Sequence, residues 1–153
     1  MAAKVNPIPA EYRGAVPYLS VNDAGRAIEF YKKAFGAREV MRMPQADGKI
    51  GHAELRIGDA PIMLADEFPE MNFRSPQSIG GTPVNILIYV ADVDKLVEQA
   101  VAAGAKLVRP VADQFYGDRL GALEDPFGHS WSFATHIEDV SPEEMQKRAH
   151  ESS

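Results

Sequence analysis

Cysteine is absent from the sequence, which removes disulfides, thiolate metal sites and a cysteine nucleophile from consideration. Long apolar runs are also missing: nothing approaches the roughly 20 residues a membrane-spanning helix needs. The first residues, MAAKVNPIPAEYRG, lack the apolar centre of a secretory leader. Basic charge is in deficit, with 16 Lys and Arg against 22 Asp and Glu and a formal net charge of −6. Such a surface has little with which to displace counterions from a phosphate backbone. Nucleic acid and membrane are therefore not expected as partners, and a cytoplasmic protein is. There is no G-x-S-x-G elbow, no Walker loop and no G-x-G-x-x-G; Gly80-Gly81 is only a turn signal.

What remains is globular composition, 45% apolar and 25% charged over 153 residues, enough for one ordinary domain. Ala15 to Val21 is an apolar run rich in strand formers, and Asn22-Asp23 supplies the start of a helix. From Ala24 to Phe35 the residues Ala27, Ile28, Tyr31, Ala34 and Phe35 recur at helical spacing, and Gly36 stops the helix. Extended runs follow at Arg38 to Met43, Lys49 to Ile57 and Pro61 to Ala65, separated by Asp47-Gly48 and Gly58-Asp59. The first half reads βαβββ.

The second half repeats that order. A strand at Val84 to Val90 leads to an Asp92 cap and a helix through Val93, Leu96, Val97, Ala100 and Val101 that stops at Gly104. Strands follow at Lys106 to Ala112, around Tyr116 to Glu124, and at His129 to Thr135. Val21-Asn22-Asp23 matches Val90-Ala91-Asp92, and Gly36-Ala37-Arg38-Glu39-Val40 matches Gly104-Ala105-Lys106-Leu107-Val108. A repeat of about seventy residues is too long for a solenoid unit and points to a duplicated half-domain. Each half would bare one sheet face alone, so the two are expected to pack as one unit. The expected fold is α+β, two tandem βαβββ modules forming an open barrel-like sheet.

Module 1 is expected at about 14–66, a loop at 67–82, module 2 at about 83–137, and a helical tail at 138–153. The loop, two prolines and a Gly-Gly pair without period, can be a lid, a binding loop or a linker. Ser141-Pro142-Glu143-Glu144 is a capping box with proline at the first helical position, which starts a short helix running to about His150.

The duplicated order, with VNDAGRAIEFYKKAFGA, HAELRIGDAPIMLADE and YGDRLGALEDPFGHSW, resembles the glyoxalase, bleomycin-resistance and extradiol-dioxygenase superfamily, also called vicinal oxygen chelate proteins. The likeness is greatest to its PhnB-like branch and runs from about residue 14 to 137. It implies a small-molecule ligand, a homodimer and, in the metal-dependent members, four ligands around one divalent ion that acts as a Lewis acid. Those ligands stand on the first and last strand of each half. The corresponding residues here are Val16, Met63, Asn85 and Ser132, which lack the imidazole and carboxylate donors such ions need. No metal and no other cofactor is expected, and the methyltransferase label some branch members carry has no nucleotide-cradling turn to support it.

With those four residues facing a cavity, strand alternation brings Tyr18, Leu87 and Tyr89 to the same side, while Trp131 turns to the core. In Lys49 to Ile57, Ala53, Leu55 and Ile57 form one face, and His52, Glu54 and Arg56 form the other. His52 and Glu54 suit a base and its orienting partner, or a solvated pair on a strand face. Arg119 can grip a carboxylate or phosphonate, or pair within the chain with Asp118 or Glu124. His129 belongs to a turn, and His136 and His150 receive no role. The candidate ligand-binding set is Tyr18, Met63, Asn85, Leu87, Tyr89, Arg119 and Ser132, with His52 and Glu54 the candidate catalytic pair. Two readings stay open. One is a metal-independent protein that sequesters an aromatic or antibiotic-like molecule; the other is a glyoxalase- or dioxygenase-related lyase or isomerase using His52 and Glu54 with a displaced or absent divalent metal.

Overall fold

In the computed structural model, which describes residues 4–152, the two halves form two separate four-stranded sheets. Strands β1 (Tyr18–Val21), β2 (Arg38–Pro44), β3 (Ile50–Ile57) and β4 (Ala60–Asp66) are ordered β1-β4-β3-β2. Strands β5 (Asn85–Tyr89), β6 (Lys106–Asp113), β7 (Asp118–Glu124) and β8 (Ser130–His136) are ordered β5-β8-β7-β6. In each sheet the first strand pairs in parallel with the last and the other pairs are antiparallel. The sheets are open, and no strand of one is paired with a strand of the other. The duplicated fold expected from the sequence is present.

Helix α1 (Ala24–Phe35) starts where the Asp23 carboxylate accepts the Arg26 N–H and ends at Gly36, whose φ of 68° turns the chain so that the Ala37 N–H reaches the Tyr31 carbonyl. Helix α3 (Val93–Ala103) is capped in the same way by Asp92 through the Lys95 N–H. The two strand-to-helix corners are fixed by equivalent residues of different chemistry. In module 1, Asp66 accepts the N–H groups of Ala24 and Ile50 at 2.9 and 2.7 Å. In module 2, Thr135 accepts the Val93 N–H and donates to the Val90 carbonyl, both at 2.9 Å.

The loop between the modules is ordered. Pro69–Met71 makes one 3-10 turn, and a single turn α2 (Pro76–Ile79) is capped by the buried Ser75. The Glu67 carboxylate accepts the hydroxyls of Ser75 and Ser78. Gly128, at φ 91°, lies so near Pro76 that a Cβ there would fall 2.8 Å from the proline ring. Helix α4 (Pro142–Ser152) closes the chain.

Each helix covers one face of its own sheet and the two helices pack together. The shared core is aromatic where the modules meet: Phe30, Tyr31 and Phe35 of α1 touch Phe127, Trp131 and Phe133 of module 2. Trp131 is fully buried, as its register requires. Beneath this seam the buried Asp125 carboxylate accepts the Tyr31 hydroxyl at 2.6 Å, the Trp131 indole N–H at 2.9 Å, and the backbone N–H groups of Phe127 and His129. Burial, reinforced by Asp125, pushes the Tyr31 hydroxyl well above its ordinary pKa, so it stays a donor.

Tyr31→Phe should cost about 1–2 kcal/mol, because three donors still satisfy Asp125. Asp125→Ala should cost more than about 3 kcal/mol, because it strands two buried side-chain donors and opens the turn. The midpoints of urea unfolding check both, and similar losses for the two variants would contradict the shared-acceptor account.

Candidate functional site

Since the helices take one face of each sheet, function is left with the other face and with the edges. On module 1 the alternation is as strict as the sequence suggests: Ala53, Leu55 and Ile57 are buried, and His52, Glu54 and Arg56 lie on the opposite, partly exposed face. Strand pairing sets Tyr18 beside Met63 and Met63 beside Glu54, one row across the sheet.

A chain of hydrogen bonds crosses these strands. The Tyr18 hydroxyl lies 2.7 Å from His52 Nδ1, and His52 Nε2 lies 3.0 Å from Glu54 Oε1. The Tyr12 hydroxyl donates to the other Glu54 oxygen. One proton arrangement satisfies every contact: Tyr18 donates to Nδ1, and the Nε2–H donates to the carboxylate. The Tyr12 hydroxyl, and then His52, hold the Glu54 carboxyl below its ordinary range. In return the hydrogen bond to Glu54 pushes the Tyr12 hydroxyl up, and burial with the nearby Glu54 charge raises that of Tyr18. Tyr12 lies before the repeat, where strand periodicity gave no reason to look. It is held over the sheet by Arg56, whose guanidinium sits 5.1 Å from the Tyr12 ring centre and donates to the Glu11 carbonyl at 2.9 Å.

On module 2 the open face carries Asn85, Leu87 and Tyr89 of β5 beside Ser132 and Ala134 of β8. Asn85 Nδ2 donates to Ser132 Oγ at 2.9 Å. The Tyr89 hydroxyl donates to Asp118 at 2.6 Å, and the other Asp118 oxygen meets His136 Nδ1 at 2.8 Å. His136 Nε2 lies 2.7 Å from Asp139. His136 received no role from the sequence because the last strand was expected to end at Thr135; β8 runs one residue further and includes it.

Arg119 must be corrected. It lies on the helix side of β7, where Asp94 of α3 takes two of its donors at 2.7 and 2.9 Å and Asp113 takes a third at 2.9 Å. Its partners are neither Asp118 nor Glu124, and its fork is spent on holding α3 to the sheet. The four positions where related metalloproteins place ligands hold Val16, Met63, Asn85 and Ser132. The last two satisfy each other, and among the described residues no three His, Cys, Asp or Glu side chains gather to hold an ion.

The candidate residues do not share one enclosed cavity within the chain. A cleft of about 630 Å³ runs between the edges β1 and β5 and is lined in part by the inter-module loop. Of the candidates, only Tyr18 and Asn85 line it, together with Val16, Phe73, Arg74 and Val84 among others. A second hollow of about 470 Å³ lies on the other side of the Tyr18 and Phe73 rings, between Gly51, Ala65, Phe68 and Met71. Tyr18, Leu87 and Tyr89 remain 46%, 48% and 57% exposed.

His136 offers a pH signature. Its hydrogen bonds to Asp139 and then Asp118 raise its pKa above the ordinary 6.5. Burial pushes the Asp118 carboxyl up, but the Tyr89 hydroxyl and His136 outweigh it and leave the value lowered. A raised histidine pKa adds stability that is complete below the unfolded value and fades as pH rises through the folded one. Titration of the His136 ring protons by NMR should therefore show a midpoint above 6.5, falling in Asp139→Asn. An unchanged midpoint in that variant would contradict the pairing.

The sequence model of the Glyoxalase/Bleomycin resistance protein/Dioxygenase superfamily matches residues 14–133. An uncharacterized protein of Mycobacterium tuberculosis, Rv0887c, is 47% identical over 133 residues, 85% of this chain and 78% of that protein. The uncharacterized Arabidopsis thaliana protein At5g48480 is 31% identical over 123 residues, 76% of this chain and 74% of that one. Among solved structures, TioX from Micromonospora sp. ML1 is 30% identical with a TM-score of 0.63, over 80% of this chain and 97% of TioX. The fosfomycin resistance protein FosX from Listeria monocytogenes, solved with Mn(II) and sulfate, shares the fold at 20% identity and a TM-score of 0.61, over 91% of this chain and 99% of FosX. The duplicated βαβββ chain thus belongs to the Glyoxalase/Bleomycin resistance protein/Dioxygenase superfamily.

Proposed function

We propose that the chain is a small-molecule-binding protein of the glyoxalase/bleomycin-resistance type, of the PhnB-like branch, which takes up an aromatic, antibiotic-like ligand without a metal centre. The observation that carries this reading is the chemistry of the open faces. Tyr18, Met63, Leu87 and Tyr89 present rings and apolar chains at and beside the places where metalloenzymes of this fold set their ligands. The donors that do stand there, Asn85 and Ser132, are turned to each other at 2.9 Å. Aromatic surface of this kind stacks on a flat ligand at low cost in side-chain entropy.

The proposed working form is a cytoplasmic homodimer. Two edges support it: Val40 and Met43 of β2, and Leu107 and Val108 of β6, are exposed apolar residues on strands with one side unpaired. A second copy would cover such edges and wall in the open faces.

A second reading, a lyase or isomerase, is favoured by one arrangement. His52 is held at Nε2 by Glu54, so that turning the Tyr18 hydroxyl toward a substrate would free Nδ1 as a base.

The decisive experiment joins metal analysis to binding of a neutral fluorescent arene such as N-phenyl-1-naphthylamine. The binding reading expects substoichiometric metal, uptake unaffected by a chelator, and affinity reduced about tenfold in Tyr18→Ala or Tyr89→Ala. Stoichiometric nickel, zinc or iron, with activity lost on chelation and on His52→Gln, would establish the enzyme reading instead. Static light scattering checks the assembly, and a monomer at micromolar concentration would remove the dimer.

A further inference from the structure

We infer that the cleft between β1 and β5 selects an anionic ligand, an apolar or aromatic body bearing one carboxylate, with Arg74 as its anchor. This rests on the reading of the chain as a small-molecule binder and names the class of ligand.

The charge lining the cleft is one-sided. Arg74 is exposed there, and no carboxylate lies within ion-pair reach of it among the described residues. The contrast with Arg42, Arg119 and Arg148 is sharp, since each of those is clamped by two carboxylates. No Asp or Glu lines the cleft at all, in a chain with 22 of them. A planar guanidinium with free donors matches a carboxylate by two parallel hydrogen bonds, and walls free of acid do not oppose it.

A buried hydroxyl points the same way independently of charge. Ser20, on β1, lines the same cleft, and its hydroxyl is the one buried side-chain polar atom among the described residues without a hydrogen-bond partner. The residue is only 7% exposed. An unpartnered buried hydroxyl costs about 1–3 kcal/mol, a cost that an acceptor brought by a ligand relieves.

The remaining wall fits an apolar body. Val16, Pro17, Phe73, Ile79, Val84 and Ile86 line the cleft, and Ile79 and Val84 are 59% and 62% exposed. The volume of about 630 Å³ lies within the range of small-molecule sites. The Arg74 side chain comes from the ordered inter-module loop, and the hydrogen bond of Asn22 to Gln77 at 2.7 Å ties that loop to module 1. The anchor is thereby held in the wall of the cleft. The role that the sequence suggested for Arg119 falls to an arginine in a segment without any period.

Calorimetric titration of the whole protein with naphthalene-2-carboxylate and with the neutral naphthalene-2-carboxamide tests this. The carboxylate should bind about tenfold or more tightly than the amide, a preference that fades with added salt. Arg74→Met should abolish the preference, Arg74→Lys should keep part of it because the charge survives without the fork, and Ser20→Ala should weaken binding severalfold. Arg109→Met, which removes an equally unpaired charge from β6, should leave binding unchanged. Equal affinities for acid and amide, or an unaltered Arg74→Met, would overturn the anionic class while leaving the binding reading intact. If neither compound binds, both fall together.

Discussion

The Asp125 carboxylate is the interaction on which the arrangement of this molecule turns. It lies at the β7–β8 turn of module 2, yet one of its donors is Tyr31, from the helix of module 1. A buried carboxylate is tolerated only where its desolvation is met by hydrogen bonds, and here four donors converge on it. Moving α1 away from module 2 would strand that charge as well as expose the aromatic seam. The two modules are therefore held in one orientation by a directional contact inside a non-directional core. Packing of Phe35 against Trp131 and Phe133 alone would fix proximity with less control of angle.

Because α1 and α3 are held together on one side, each sheet has one face committed. The opposite faces, and the edges β1 and β5 that meet along the cleft, are what the fold leaves for a ligand. The stability of the seam and the availability of the site are then consequences of one geometry. One wall of the cleft is a loop that keeps its shape through Glu67, Ser75 and Ser78 and through the close approach of Gly128 to Pro76. A loop fixed in this way supplies Phe73 and Arg74 at low ordering cost when a ligand arrives.

Periodicity made the fold legible. The helix Ala24–Phe35 begins and ends where its Asp23 cap and Gly36 stop place it, and β3 alternates without exception from His52 to Ile57. What was harder to read depends on contacts between residues far apart in the chain. The packing of α3 on β7 brings Asp94 to Arg119 from 25 positions away, and the β6–β7 hairpin sets Asp113 directly opposite it. Even so, a clue was present: Arg119 shares its strand face with Leu123, a core residue, and stands opposite to Asp118. Tyr12 and Arg74 carried no such clue, since the first precedes the repeat and the second lies in a segment where no period assigns a face. Whether the candidate residues meet in one chain or across two was not legible either, since strand alternation assigns a face and says nothing of what lies over it; within the chain the two sheets are separate and open.

Comparison of the two halves shows which surface has been free to change. Taking Met63 as the counterpart of Ser132, the pairings make Tyr18 equivalent to Leu87, Glu54 to Ala122 and His52 to Leu120. On the helix side the equivalent pairs keep one character: Leu19 with Ile88, Leu55 with Leu123, Leu64 with Phe133, Ile62 with Trp131, all buried or nearly so. On the open side three pairs differ in kind, a ring against an aliphatic chain, a carboxylate against a methyl, an imidazole against a leucine, while Ala65 and Ala134 match. Burial demands apolar side chains of adequate volume and little else, so both copies satisfy it alike. The open side is less uniformly buried, and there module 1 carries a hydrogen-bonded polar row through Tyr18, His52 and Glu54. Module 2 has an apolar row through Leu87, Leu120 and Ala122.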